Sequence, residues 1–256
     1  MMLEVRKLTL DYRGFEAVRD ISFSLDAGQW LMLAGPNGAG KSSLLKAIAK
    51  AAPFEGQVLL DGQDTALMNA RQMARKMAVL HQSHALGYSY TVEQLVCLGR
   101  YAHQHAFTHA DPGGRAKVDE ALALCGLEAI RHQNALTLSG GELQRAYLAQ
   151  VLAQDTRLLL LDEPASHLDL AYQQSIFDTI AAWLRTPGRA VLSVVHDLQL
   201  ARRYGSHALL MKAGQQAAFG PVGEVFSDET LHAVWGMPVA DWFETLYAPW
   251  RMDKKG

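Results

Sequence analysis

The 256-residue sequence has few cysteines and no long apolar run. Its two cysteines, Cys97 and Cys125, lack the spacing of a metal-binding or redox motif, which favours a reducing compartment over a disulfide framework. No stretch reaches the roughly 18 uninterrupted apolar residues that a membrane helix requires. Met1–Leu10 lacks the basic start and the apolar run of a signal peptide. We therefore predict a cytosolic chain that needs a partner for any membrane crossing.

The sequence also lacks an excess of charge of either sign. It has 24 Lys and Arg against 26 Asp and Glu, well mixed, so the formal charge at pH 7 is −2. It therefore has no basic stripe of the kind that neutralises a nucleic-acid backbone. Apolar residues make up 49% of the chain, which is enough for the core of one large α/β domain. We expect a folded protein that does not bind nucleic acid.

Short apolar runs alternate with helical patterns along most of the chain. The runs are Leu3–Leu10, Ile21–Leu25, Trp30–Ala34, Val58–Leu60, Met77–Leu80, Arg157–Leu161 and Ala190–Val195. Such runs separated by helices predict a mainly parallel sheet covered on both faces. Near the end, His207–Met211 and Gln215–Phe219 flank a turn and predict a hairpin. A helix is expected around Asp228–Trp235.

Residues 91–136 differ because helical patterns follow one another there without a strand pattern. Val92–Tyr101 and Ala116–Cys125 are both expected to be helical, and Asp111-Pro112-Gly113-Gly114 forms a turn between them. We therefore predict an α-helical subdomain inserted into the α/β core.

Gly35-Pro36-Asn37-Gly38-Ala39-Gly40-Lys41-Ser42 matches the P-loop pattern G-x-x-x-x-G-K-[ST]. The string follows the strand Trp30–Ala34 and precedes a helix expected over Ser43–Lys50, as the pattern requires. Its backbone N–H groups can point at phosphates, while Lys41 neutralises the β and γ oxygens and Ser42 ligates Mg²⁺. The alternative is a plain glycine turn. Lys41 and Ser42, at the lysine and serine positions of the pattern, argue against it. ATP and Mg²⁺ are the predicted cofactors.

The apolar strand Leu158–Leu161 ends in two carboxylates, Asp162 and Glu163. Because neighbours along a strand point in different directions, we expect two roles. Asp162 can hold the Mg²⁺ shell, and Glu163 can orient and polarise the water that attacks the γ-phosphorus. A charged strand end without function is the alternative, and the P-loop elsewhere in the chain favours catalysis.

Leu138-Ser139-Gly140-Gly141-Glu142 places a serine at a helix N-cap position, followed by glycines whose N–H groups are free for an anion. An ordinary capped helix is the alternative. With this string beside a P-loop, the sequence resembles the ABC ATPase family, whose signature is L-S-G-G-E/Q. The resemblance implies an α/β fold with a P-loop NTPase core (RecA-like, mainly parallel sheet), an N-terminal antiparallel β subdomain and the inserted α-helical subdomain.

The resemblance covers nearly the whole chain and implies one ABC ATPase domain over residues 1–256. Residues 1–90 and 155–225 would form the ATP-binding core with its antiparallel β subdomain. Residues 91–154 would form the helical insertion with the signature, and 226–256 a short C-terminal tail.

Further residues are assigned by the resemblance position by position. Tyr12 is similar to the aromatic that stacks on adenine, with an edge-strand tyrosine as the alternative. Gln82 resembles the glutamine that touches Mg²⁺ or the attacking water and links the core to the helical insertion. Ser166-His167-Leu168-Asp169 resembles the loop that crosses to the other protomer, although its histidine stands where the family often has a small residue. His196 resembles the histidine that contacts the γ-phosphate, with a structural histidine as the alternative.

The implied site falls into three groups. The catalytic group is Lys41, Gln82, Glu163 and His196. The Mg²⁺ ligands are Ser42, Gln82 and Asp162. The nucleotide-binding positions are Tyr12, Gly35, Pro36, Asn37, Gly38, Ala39, Gly40, Lys41, Ser42, Ser43, Ser139, Gly140, Gly141, Glu142 and Asp169.

Two clusters of residues favour structural interpretations. Five histidines are expected to be solvated or hydrogen-bonded and not to bind metal, because no cysteine or carboxylate framework accompanies them: His81, His84, His103, His105 and His109. Three tryptophans crowd the C-terminus, where packing onto the core is expected and a partner surface is the alternative: Trp235, Trp242 and Trp250.

In the family, the P-loop of one subunit and the signature of another enclose each nucleotide. The resemblance therefore implies a homodimer with two composite ATP sites. It also implies two transmembrane permease subunits that contact a surface including Tyr88–Leu98, and a substrate-binding protein that acts indirectly. The chain would lie peripherally at the cytoplasmic face of the inner or plasma membrane.

Two segments, Thr91–Tyr101 and Glu224–Val239, resemble ATPases of importers for iron chelates (ferric siderophores, haem) and vitamin B12. The implied function is ATP hydrolysis that powers uptake of an iron chelate. The alternatives are cobalamin or another solute, an exporter, a soluble ABC ATPase of translation or DNA repair, and a P-loop metabolic kinase.

Overall fold

A computed structural model describes residues 1–82, 87–105 and 110–252 of the chain, so His84 and His109 lie outside the described residues. The strands are β1 (Leu3–Tyr12), β2 (Phe15–Leu25), β3 (Trp30–Ala34), β4 (Glu55–Leu60), β5 (Gln63–Asp64), β6 (Met77–Leu80), β7 (Leu158–Asp162), β8 (Ala190–Val194), β9 (His207–Lys212) and β10 (Gln215–Pro221). The α-helices are α1 (Lys41–Ile48), α2 (Ala70–Lys76), α3 (Val92–Cys97), α4 (Gly114–Leu124), α5 (Gly140–Ala153), α6 (Leu170–Leu184), α7 (Leu198–Tyr204), α8 (Val222–Val225), α9 (Asp228–Trp235) and α10 (Val239–Met252). Short 3₁₀ helices occupy Thr65–Leu67, Leu98–His103, Glu128–Ile130 and Ala135–Thr137.

The larger sheet has six strands in the order β10-β9-β3-β8-β7-β6. Neighbours from β9 to β6 run parallel, and β10 pairs antiparallel with β9 as the predicted hairpin. Every residue of β3, β7 and β8 is buried, which explains why these strands are apolar except at Asp162 and Ser193. Because parallel strands end at the same edge, residues that follow β3, β6, β7 and β8 meet there.

A second sheet of four antiparallel strands has the order β2-β1-β4-β5. Helix α1 contacts strands of both sheets and buries Leu44, Leu45 and Ile48 between them. The apolar core around α1 thus joins the two sheets. The predicted α/β class with an antiparallel β subdomain is confirmed.

Between β6 and β7 the described residues form helices α3, α4 and α5, which pack on one another. The predicted helix Val92–Tyr101 ends as α3 at Cys97 and continues as 3₁₀ turns. A Cβ on Gly99 would lie 2.0 Å from the Gln150 carbonyl oxygen, so this tighter segment runs directly against α5. Arg100 anchors it through bonds of 2.8 and 3.0 Å to both carboxylate oxygens of Asp111.

The C-terminal segment was incompletely predicted. Helix α9 has its expected bounds, but the segment continues as a second helix, α10, which packs mainly on α9. Trp235 is partly buried against the core, as predicted. Trp242 and Trp250 are 51% and 77% exposed, so the prediction that these two tryptophans pack onto the core is wrong. None of the described helices is long and apolar enough to cross a bilayer.

Candidate functional site

The P-loop joins the end of β3 to the start of α1. Gly40 occupies the N-cap position in a left-handed conformation (φ 95°), and no side chain caps the helix. The first N–H groups of α1 therefore remain available to an anion. A Cβ on Gly35 would lie 2.1 Å from the Met211 carbonyl oxygen, and one on Gly40 would lie 2.2 Å from that of Ala17. Only glycine fits at either position.

Lys41 lies folded into the loop that precedes it. Its side chain is buried, and Nζ donates hydrogen bonds to the carbonyl oxygens of Gly35 (2.8 Å) and Pro36 (3.0 Å). Burial lowers the pKa of the Lys41 ammonium, and the carboxylates of Glu163 and Asp162 act in the opposite direction. The loop therefore holds a cation beside free N–H groups, an arrangement suited to a chain of phosphates.

Ser42 and Asp162 bring a hydroxyl and a carboxylate together. Ser42 Oγ donates to Asp162 Oδ1 at 3.0 Å, although the two residues are far apart in sequence. Burial raises the pKa of Asp162, whereas the hydrogen bond from Ser42 lowers it. Hydroxyl and carboxylate oxygens are the ligands that Mg²⁺ prefers, so the donor set fits this ion.

Glu163 is held from two sides at the end of β7. Gln82 Nε2 donates to Oε2 at 2.8 Å, and His196 Nε2 lies 2.5 Å from Oε1. Gln82 follows β6 and His196 follows β8, the two sheet neighbours of β7. The Glu163 backbone is left-handed, with φ 52°, a strained conformation that non-glycine residues adopt mainly where the surroundings impose it. The site thus holds the Glu163 carboxylate, whose side chain is 13% exposed, close to Asp162 and Lys41.

The signature string forms the beginning of α5. Ser139 is the N-cap, as predicted, and its backbone N–H donates to Glu142 Oε2 at 2.9 Å. Ser139 Oγ donates to the same carboxylate at 2.7 Å, and these bonds lower the pKa of Glu142. Within the described residues, no hydrogen bond joins Ser139–Glu142 to the P-loop Gly35–Ser42. Within one chain the described parts of the two glycine-rich strings are therefore not hydrogen-bonded to each other.

Tyr12 and Asp169 lie outside this cluster. Tyr12 ends β1 and is 43% exposed. Tyr12 lies beyond Thr9, the last residue of β1 that pairs with β4, so at this end β1 pairs with β2 alone. Asp169 caps α6 by accepting a hydrogen bond from the Tyr172 backbone N–H at 2.9 Å. His167, in the loop before it, is left-handed (φ 63°), a conformation that histidine adopts more often than most non-glycine residues.

Sequence reasoning missed two residues at this site. Gln144 Nε2 donates to the carbonyl oxygen of Pro164, the residue after Glu163, at 2.8 Å. The ring of Tyr172 lies directly against Gly141. Both contacts join segments distant in sequence, and no local pattern marks them.

The chain is similar to known proteins over most of its length. The ABC transporter family model matches residues 18–166. The hemin import ATP-binding protein HmuV of Pseudomonas entomophila is 40% identical over 93% of this chain and 94% of its own. The ferric enterobactin transport ATP-binding protein FepC of Escherichia coli is 34% identical over 92% of this chain and 87% of its own. The petrobactin import ATP-binding protein FpuD of Bacillus anthracis is 35% identical over 92% of this chain and 86% of its own.

Solved structures share the fold. A dimeric bacterial ABC transporter cassette has a TM-score of 0.76 at 24% identity, over 86% of this chain and 99% of its own. A bacterial Atm1-family ABC exporter with ATP bound has a TM-score of 0.77 at 26% identity, over 91% of this chain and 41% of its own. Since an exporter shares the fold, the fold alone does not distinguish import from export.

Proposed function

This chain belongs to the ABC transporter family, and on that premise we propose that it hydrolyses ATP to power the import of an iron chelate, a ferric siderophore or haem, through membrane subunits. The observation that carries the ATPase function is the convergence of Gln82, Glu163 and His196 beside the P-loop lysine. The cargo class rests on relatives named for hemin, ferric enterobactin and petrobactin. Cobalamin or another solute is the alternative cargo.

In the proposed mechanism, the free N–H groups of the P-loop and Lys41 bind the phosphates of ATP. Glu163 accepts the proton of the attacking water, and its position is fixed by Gln82 and His196. Ser42, Asp162 and the amide oxygen of Gln82 would hold Mg²⁺, which when bound neutralises charge on the phosphate oxygens.

We propose that the site is completed by a second copy of the chain. Ser139 and Gly141 lie at the start of α5, and no side chain of the described residues caps α1 behind the P-loop. A two-fold dimer would place the signature of each copy over the P-loop of the other and create two identical sites. ATP would then favour the closed dimer, because contacts from Ser139 and Gly141 to the γ-phosphate exist only there.

The membrane subunits are proposed to contact the surface of Tyr88–Leu98, at the cytoplasmic face of the membrane. Tyr88 and Leu98 are 74% and 44% exposed, and the Tyr88 and Tyr90 rings form an edge-on pair 6.1 Å apart. Exposed aromatic side chains are typical of protein interfaces. The subdomain bounds that we propose are 1–90 with 155–225 for the core, 91–154 for the helical insertion and 226–256 for the tail.

The import function predicts a growth defect. A strain that lacks the gene should not grow on a ferric siderophore or haem as the sole iron source, yet should grow normally on abundant inorganic iron. The wild-type chain should restore growth, and Glu163→Gln should not, because uptake requires hydrolysis.

Uptake of labelled compounds provides the decisive control. Wild-type rates for ferric siderophore, haem and cobalamin in the deletion strain, together with altered accumulation of another solute, would show that the importer hypothesis is wrong. The ATPase function would survive that result.

A further inference from the structure

We propose that Gln144 and Tyr172 couple the two ATP sites of the dimer, because they attach the signature helix α5 to the segment that carries Glu163. They are positioning residues. The proposal rests on the proposed function, since it assumes that Ser139 and Gly141 complete a site in the second copy.

Gln144 makes the first attachment. It lies on α5, about one turn beyond the N-cap Ser139, and its side-chain amide donates to the Pro164 carbonyl oxygen at 2.8 Å. Pro164 directly follows Glu163, whose backbone is held in a left-handed conformation. A single hydrogen bond therefore joins the helix that carries the signature to the backbone that aims the carboxylate.

Tyr172 makes the second attachment. A Cβ on Gly141 would lie 2.7 Å from two atoms of the Tyr172 ring, whereas one on Gly140 would meet nothing within 4 Å. Arg145, also on α5, places its guanidinium carbon 5.5 Å from the centre of the same ring. Gly141 is thus required by ring packing as well as by any anion contact.

The two contacts fall at the two ends of one loop. This loop leaves β7 at Glu163 and enters α6 after the N-cap Asp169, whose carboxylate accepts from the Tyr172 N–H. Pro164, near the start of the loop, and Tyr172, in the first turn of the helix that follows it, both contact α5. A movement of α5 would therefore carry the whole loop with it.

The loop also has room to move. Beside the loop lies a cavity of about 110 Å³, whose lining includes Glu163, Pro164, Ala165 and His196 and, within the described residues, no residue of α5. Close-packed interiors resist displacement, and a loop beside a cavity resists it less. A shift of α5 can therefore change the aim of Glu163 without overlap on the cavity side.

This arrangement has a consequence for the dimer. Each chain supplies Glu163 to one ATP site and Ser139 with Gly141 to the other. ATP that binds against the signature of a chain would shift α5 and, through Gln144 and Tyr172, align Glu163 in the other site. The two sites should then hydrolyse ATP cooperatively, with a Hill coefficient above 1 and at most about 2 for two sites.

The test is the dependence of ATP hydrolysis on ATP concentration in the full-length chain. Gln144→Glu keeps the shape of the side chain but removes the donor to Pro164, and Tyr172→Ala removes the ring. Each should lower the Hill coefficient to about 1, while monomer affinity for a non-hydrolysable ATP analogue stays within about twofold of wild type. Tyr172→Phe keeps the ring and should retain the wild-type value.

Gln174→Ala is the matched control, because Gln174 lies on α6 but its amide bonds within the helix, to Asp178. It should retain wild-type cooperativity. The proposal is overturned if both Gln144→Glu and Tyr172→Ala keep the wild-type Hill coefficient, or if the wild type hydrolyses ATP with a coefficient of 1. A wild type without ATP hydrolysis would instead refute the proposed function, and this proposal with it.

Discussion

Replacement of Glu163 by glutamine is expected to lower ATP turnover at least ~100-fold, the scale of a lost general base, while ATP still binds. The amide can orient the attacking water but cannot accept its proton. Gln82 and His196 would still position a side chain of the same shape. Phosphate release and a separate ATP titration measure the two effects.

Blocked hydrolysis should also trap the closed dimer, because the γ-phosphate contacts persist. Gel filtration of Glu163→Gln with Mg-ATP should then show a dimer, and a monomeric elution position would contradict the composite site. Glu120→Gln is a matched control. Glu120 lies on α4, is 61% exposed and forms an ion pair with Lys117 at 3.3 Å, so turnover should stay at the wild-type level.

Replacement of Lys41 by alanine is expected to weaken Mg-ATP binding at least ~100-fold. Charge-assisted hydrogen bonds contribute roughly 1.5–3 kcal/mol each, and Lys41 can supply two to the phosphates. The buried ammonium would be lost from the loop, and no other P-loop side chain carries a positive charge. Calorimetric or fluorescence titration with Mg-ATP measures the loss.

Lys76→Ala is the control for Lys41→Ala. Lys76 ends α2, at the opposite end of β6 from Gln82, and pairs with Asp61 at 3.3 Å. This variant should bind Mg-ATP normally. Near-normal affinity of Lys41→Ala would remove Lys41 from the site.

The strands that hold the site were predictable because β3, β7 and β8 are buried throughout and are almost entirely apolar. The P-loop, Glu163 and His196 come just after β3, β7 and β8 in the sequence. Because these strands are parallel, the sequence also predicts that the three meet at one edge of the sheet. The left-handed backbone of Glu163 was not predictable, because no local sequence pattern marks it and its backbone N–H bonds to a residue distant in sequence, the Val194 carbonyl oxygen, at 3.2 Å.

Helix α10 was missed for a local reason. Its Pro249 lies inside the helix, where proline usually ends one, and few of its residues are buried. Because α10 packs mainly on α9, Trp242 and Trp250 remain exposed. The contacts of Gln144 and Tyr172 were missed for a different reason, since they depend on tertiary packing alone.

The central claim is that each ATP site combines the P-loop of one chain with the signature of another. Ser139→Arg should block closure over the facing site, and Lys41→Ala should empty its own site, so each variant alone should be inactive. A mixed dimer carries both lesions at one site and none at the other. Measured ATP hydrolysis of verified Lys41→Ala and Ser139→Arg heterodimers should therefore recover in part, and activity no higher than that of either variant alone would contradict composite sites.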